Sequence, residues 1–174
     1  MTAVQSSLPQ ARSTLRRSAH GLTFDLLDDV WVLKENGRRM TLSWAPVAQI
    51  VTPNFDKKLR EAFARIASTS PGSSCQTYQL ALRSVLKFGY KASGAALHSL
   101  SAETFSGWIS TQPGSAKIRQ VKALFKLWRN LNGQGIDAET LELGDRLSAP
   151  KSDSYTYVLT WDADFGPYRP AEDE

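Results

Sequence analysis

The chain has 174 residues, a hydrophobic content of 41%, one cysteine and a formal charge of +4. That is enough for one domain or two small ones with a buried core, and a single Cys75 excludes an internal disulfide, so a reducing, cytoplasmic setting is expected. No apolar run reaches the ~18 residues that cross a bilayer and no Cys/His cluster has zinc spacing, which sets aside membrane and zinc-site classes and leaves no metal or cofactor expected.

The charge is unevenly placed. Residues 1–55 carry six basic against four acidic side chains, residues 56–132 twelve against three, and residues 133–174 three against ten. A central block with that excess is the footprint of a polyanion partner, and inside a cell nucleic acid is the commonest one.

Residues 1–20 hold Arg12, Arg16 and Arg17 among Ser, Thr, Pro and Gln, with no apolar run of the secretion type, and read as a disordered basic arm. Residues 21–53 form a hairpin extension. Val30 to Leu33 and Met40 to Ser43 alternate on either side of Asn36-Gly37, whose positive-φ preference suits a type I′ turn. With that turn Leu33 lies opposite Met40 and Trp31 opposite Leu42, giving one apolar face. Phe24 to Leu27 is a candidate third strand. A lone hairpin is marginal in water, so it must pack on the helices behind it or meet a partner.

Thr52-Pro53-Asn54 interrupts the chain, and helical periodicity then takes over through residues 54–132. A helix over Asp56–Ser68, capped by Asn54 or Asp56, turns Leu59, Phe63 and Ile66 inward. A second runs from Ser73 or Ser74 to about Tyr90 with Tyr78, Ala81, Leu82, Val85 and Phe88 inward. On its other side Arg83, Lys87 and Lys91 stand at i, i+4 and i+8, with Gln76 and Gln79 near by. A short helix opens at Ser101 and buries Phe105, Trp108 and Ile109. Gln112-Pro113-Gly114 then leads into the helix Ser115–Asn132.

That last helix carries two instructions. Val121, Leu124, Phe125 and Trp128, extended by Ile118 and Leu131, make a core face, while Arg119, Lys122, Lys126 and Arg129 make a basic stripe beside it. A helix that is merely solvated usually mixes signs in i,i+4 pairs, yet this one has no acid at all. Two such stripes on long helices indicate an anion-binding surface.

Residues 133–174 read as an acidic linker and tail, with a short helix at Ala138–Leu143 and a candidate strand at Tyr155–Trp161 that would join the hairpin. Asp28-Asp29 and Asp162-x-Asp164 are solvated turn acids rather than a metal site. Tyr155, Tyr157 and Tyr168 lack the cations and acid/base that a tyrosine nucleophile needs.

Thr77-Tyr78-Gln79-Leu80-Ala81-Leu82-Arg83-Ser84-Val85-Leu86-Lys87-Phe88, Leu100-Ser101-Ala102-Glu103 and the Ser115–Trp128 run together resemble the N-terminal core-binding, SAM-like domain of tyrosine recombinases and phage integrases, over roughly residues 54–132. The resemblance implies a mainly α fold, a four-helix bundle that forms half of a C-shaped clamp on double-stranded DNA beside other recombinase protomers. Strand transfer in that family belongs to a separate C-terminal domain with two arginines, a His-x-x-Arg element and a tyrosine. This chain offers only His20 and His98, and Ser101 stands where an arginine would follow His98. No catalytic residue and no small-molecule substrate are therefore expected. The Phe165-Gly166-Pro167-Tyr168 stretch is similar to the connector that precedes the catalytic half in larger members.

Two readings emerge from the sequence. In one the chain is a DNA-binding module whose seven stripe cations contact phosphates while Gln76, Gln79 or Asn130 reach base edges. In the other it is a protein-interaction module whose basic surface docks an acidic partner or its own acidic tail.

Overall fold

The computed structural model describes residues 13–112, 115–133 and 135–148. It is mainly α, with two small antiparallel hairpins ahead of the helices. The candidate strand at 155–161 and the acidic segment from 149 lie outside the described residues.

The hairpin of β3 (Val30–Glu35) and β4 (Arg38–Ser43) has the expected register, Trp31 opposite Leu42 and Leu33 opposite Met40. Asn36 and Gly37 both take positive φ, 49° and 79°, as a type I′ turn requires. Trp31, Leu33 and Leu42 are buried. The segment before it departs from expectation twice. Thr23–Asp25 is a strand, β2, but it pairs with β1 (Leu15–Arg17) instead of extending the β3–β4 sheet. Residues 13–20, read from sequence as disordered arm, thus form a strand and turn anchored by the Ala19 N–H donating to the Ala67 carbonyl at 2.8 Å. Asp28-Asp29 turns the chain between the two hairpins, and the Trp44 N–H donates to the Asp29 carbonyl there.

The hairpins are not a separate unit. Phe24 stacks on Trp31 (4.5 Å between centroids), Trp31 tilts against Trp44 (4.8 Å), and Trp44 meets Phe63 edge-on (5.5 Å). This aromatic ladder runs from β2 into the helices, and such contacts add about 0.5–1.5 kcal/mol each beyond area burial. The hairpin packs on the helices behind it and is stabilised there.

A short helix α1 (Ala45–Ala48) leads to α2 (Pro53–Thr69), whose cap is Thr52, its hydroxyl accepting from the Phe55 N–H; Asn54 and Asp56, the expected caps, lie inside the first turn. Pro53 at the first helical position explains the earlier start, since its missing N–H is needed by no carbonyl there. Leu59, Phe63 and Ile66 are buried as expected. α3 (Gly72–Ser93) begins after Pro71, which offers no capping side chain, and ends at Gly94 in the left-handed region (φ 69°). α4 (Ala102–Thr111) is capped by Ser101, and α5 (Ser115–Asn130) buries Val121, Leu124, Phe125 and Trp128.

The larger correction concerns residues 135–148. Instead of a linker with a short helix at 138–143, the chain forms α6 (Ala138–Ser148) and joins the core. Leu100 and Ile136 form a parallel bridge, the Thr140 hydroxyl donates to the Leu100 carbonyl at 3.1 Å, and Ile136, Thr140 and Leu141 are buried. A Cβ at Gly144 would lie 3.3 Å from Phe125. The acids Asp137, Glu139 and Glu142 are exposed around that inward face, which is why composition alone suggests a linker.

Candidate nucleic-acid interface

α3 is the helix on which the hairpin, α4 and α5 all pack. Its basic side remains open. Lys87 and Lys91 are exposed, and Arg83 is half-buried, its Nε shut off from solvent and from any acceptor. Gln76, seven residues before Arg83 and so at nearly the same azimuth, is exposed and donates to the Thr41 carbonyl at 3.5 Å.

Gln79 does not belong to this surface. It is 2% exposed and its amide donates to the Ser43 carbonyl at 3.1 Å, tying α3 to the end of β4. Four residues after Cys75 and three before Leu82, it occupies a core position, and that spacing is the signal in the sequence. Its side chain makes a structural bond, which removes it from the DNA-binding residues expected above.

On α5, Arg119, Lys126 and Arg129 are exposed and Lys122 is half-buried. Lys122 and Arg129 are already engaged within the protein. Asn130 is exposed at the end of the helix. Among the described residues no carboxylate lies within 4.0 Å of Arg83, Lys87, Lys91, Arg119 or Lys126, in contrast to Arg60, which pairs with both Asp56 and Asp29. α3 and α5 pack directly on each other, so the two stripes sit on neighbouring helices with axes ~8–10 Å apart.

Two of the central block's arginines are structural, which composition could not reveal. Arg60 is 7% exposed, stacked over Trp44 (5.5 Å from the ring centroid). Its Nε donates to Asp56 Oδ2 at 2.9 Å, one Nη to the carbonyls of Leu26 (3.0 Å) and Asp28 (2.7 Å), and the other to Asp29 Oδ1 at 3.4 Å. It rivets the loop between the hairpins to α2. Arg65 donates to the Leu131 carbonyl at 2.7 Å, just past the end of α5, where a cation also suits the helix dipole. Burial pushes the Asp56 carboxyl above its ordinary range, against the opposing pull of Arg60.

A cleft of about 630 Å³ between the β1–β2 hairpin and α2 is lined by Arg16, Arg17, Lys57 and Arg65, but also by Asp56 and Glu61. Its signs are mixed, unlike the stripes. Cys75 is buried and its thiol is pushed up to about 12 by desolvation, so it is no nucleophile near neutral pH. Among the described residues no three His, Cys, Asp or Glu side chains converge, and no helix is long and apolar enough to cross a membrane. No family model matches the chain, and neither curated proteins nor solved structures give a significant match.

Proposed function

We propose that this chain is a double-stranded DNA-binding module of the kind that forms the clamp half of a site-specific recombinase, with no catalysis of its own. The observation that carries the reading is the pair of stripes on the packed helices α3 and α5, where Arg83, Lys87, Lys91, Arg119 and Lys126 have no carboxylate partner among the described residues. Exposed cations left without acids repel one another across the surface. An evenly spaced polyanion relieves that repulsion and gains counterion release on binding. Base reading is limited in such a complex, since Gln79 is buried and lysines on phosphate position a protein without specifying sequence.

The test is a comparison of variants on two unrelated duplexes. Lys87→Ala with Lys126→Ala should weaken binding equally on both and reduce the salt slope by about 1.8, at ~0.9 for each phosphate no longer neutralised. An unchanged slope would exclude the stripes as the contact surface. Tight binding of an acidic protein surface with no binding to either duplex would favour the interaction-module reading instead.

A further inference from the structure

On the outer face of the β3–β4 hairpin, Lys34 stands directly opposite Arg39, and both are exposed. Like charges on directly opposed residues of an antiparallel pair destabilise it, and the usual remedy, a neighbouring acid, is missing. Glu35 is opposite Arg38, but its carboxylate is turned away: Oε2 accepts from the Ser73 N–H at 2.9 Å, supplying the N-terminal cap that Pro71 cannot give α3. Among the described residues Lys34, Arg38 and Arg39 make no ion pair. The hairpin tip therefore carries three cations without an ion pair, Lys34 and Arg39 on its outer face and Arg38, by strand alternation, on the other.

The ribbon's position gives those cations a direction. A Cβ at Gly72 would lie 3.3 Å from both Leu33 Cβ and Met40 Sδ, Gln76 reaches the Thr41 carbonyl, and Gln79 reaches the Ser43 carbonyl. β4 thus runs along the first half of α3, on the flank that Arg83 continues. From Ser73, beside the tip, to Lys91 the helix axis covers ~27 Å at ~1.5 Å per residue. At ~3.4 Å per base pair that matches roughly eight base pairs of duplex.

We propose that Lys34, Arg38 and Arg39 extend the α3 stripe into one continuous track, with the hairpin tip gripping the DNA backbone beyond the N-terminus of α3. The inference rests on the DNA-binding reading and assigns the hairpin a part in the same surface. The width of a two-stranded ribbon suits the major groove.

Lys34→Glu separates folding from binding. It turns the Lys34/Arg39 repulsion into an opposite-charge pair, so the melting temperature should hold or rise. The salt slope of duplex binding by the full chain should fall by about 1.8, because Lys34 no longer neutralises a phosphate and the new acid neutralises Arg39. Affinity at 0.1 M salt should drop roughly 10- to 100-fold. Lys34→Ala with Arg39→Ala should give the same loss without added negative charge. If both variants bind like the parent while Lys87→Ala with Lys91→Ala is impaired, the hairpin inference is wrong and the DNA reading stands. If the parent chain shows no salt-dependent binding to duplex, both fall together.

Discussion

Replacing Arg60 with alanine removes a side chain that holds the inter-hairpin loop, α2 and Trp44 together. The Leu26 carbonyl, in a buried setting, loses its donor, and the Asp28 carbonyl loses a 2.7 Å bond in a partly buried one. Leaving such groups unpaired costs about 1–3 kcal/mol each where water cannot replace the donor. Asp56, with a side chain 17% exposed, loses its charge partner, and breaking a buried pair from one side costs about 3–5 kcal/mol. Partial access of water to Asp28 and Asp56 brings the total below the plain sum of roughly 5–11 kcal/mol, to about 3–5 kcal/mol. Against a whole-domain stability of ~5–15 kcal/mol, that should lower the melting temperature by roughly 6–20 °C at ~2–4 °C per kcal/mol. Urea unfolding should show the midpoint falling by about 2 M at constant slope. The Asp29 contact contributes little, because that side chain is 71% exposed. A pH signature accompanies the loss. Asp56 is already raised above its ordinary value by burial, and removing Arg60 takes away the pull that opposes this. A raised carboxyl penalises the fold at neutral pH and the penalty lifts as pH falls through the folded-state value. The gap between parent and variant should thus be widest near neutrality and narrow in acid. Arg60→Lys should recover only part of the loss, since an ammonium cannot reproduce the fork geometry. A loss under about 1 kcal/mol, or a gap independent of pH, would refute the riveting role.

Gln79→Ala should cost about 1–2 kcal/mol in thermal or urea unfolding, by leaving the Ser43 carbonyl without its donor, yet leave duplex affinity unchanged; a loss of binding at full stability would return Gln79 to the interface. Gly135→Ala should be more damaging than Gly94→Ala. Both have positive φ, but a Cβ at Gly135 would come within 2.9 Å of Phe55 while one at Gly94 meets nothing, so about 1–3 kcal/mol of overpacking adds to the backbone strain. Glu35 is held below its ordinary value by the Ser73 hydroxyl and N–H. Its contribution is therefore present above the unfolded value and disappears as pH falls through the depressed folded-state value. Melting curves of the parent and Glu35→Gln should converge on acidification below 4.5, and a gap that persists there would argue against the capping role.

Much of this fold is local, which is why the sequence reveals it. The Asn36-Gly37 turn and period-two alternation determine the β3–β4 register, and the apolar spacing along α2 to α5 identifies which residues face inward. The failures are where partners come from far along the chain. β1 has three residues, all exposed, and carries no periodic signal; only pairing with β2 defines it. α6 has its apolar residues spread among acids, and its burial depends on Leu100 and Phe125, some 40 and 20 residues earlier. The Arg60–Asp56 spacing is readable as an i,i+4 pair, but the carbonyls 32 and 34 residues back are not. For the interface, both stripes are legible from charge and helical period. That Gln79 is buried, that Arg60 and Arg65 are structural, and that the hairpin tip aligns with α3 all need the tertiary arrangement.

DNA binding is tested most directly by titrating a labelled duplex with the full chain at several salt concentrations and following fluorescence anisotropy. Five stripe cations without partners among the described residues predict that log K falls linearly with log salt, with a slope of about −4 or steeper at ~0.9 per phosphate. No binding at low salt, or binding with a slope near zero, would contradict it.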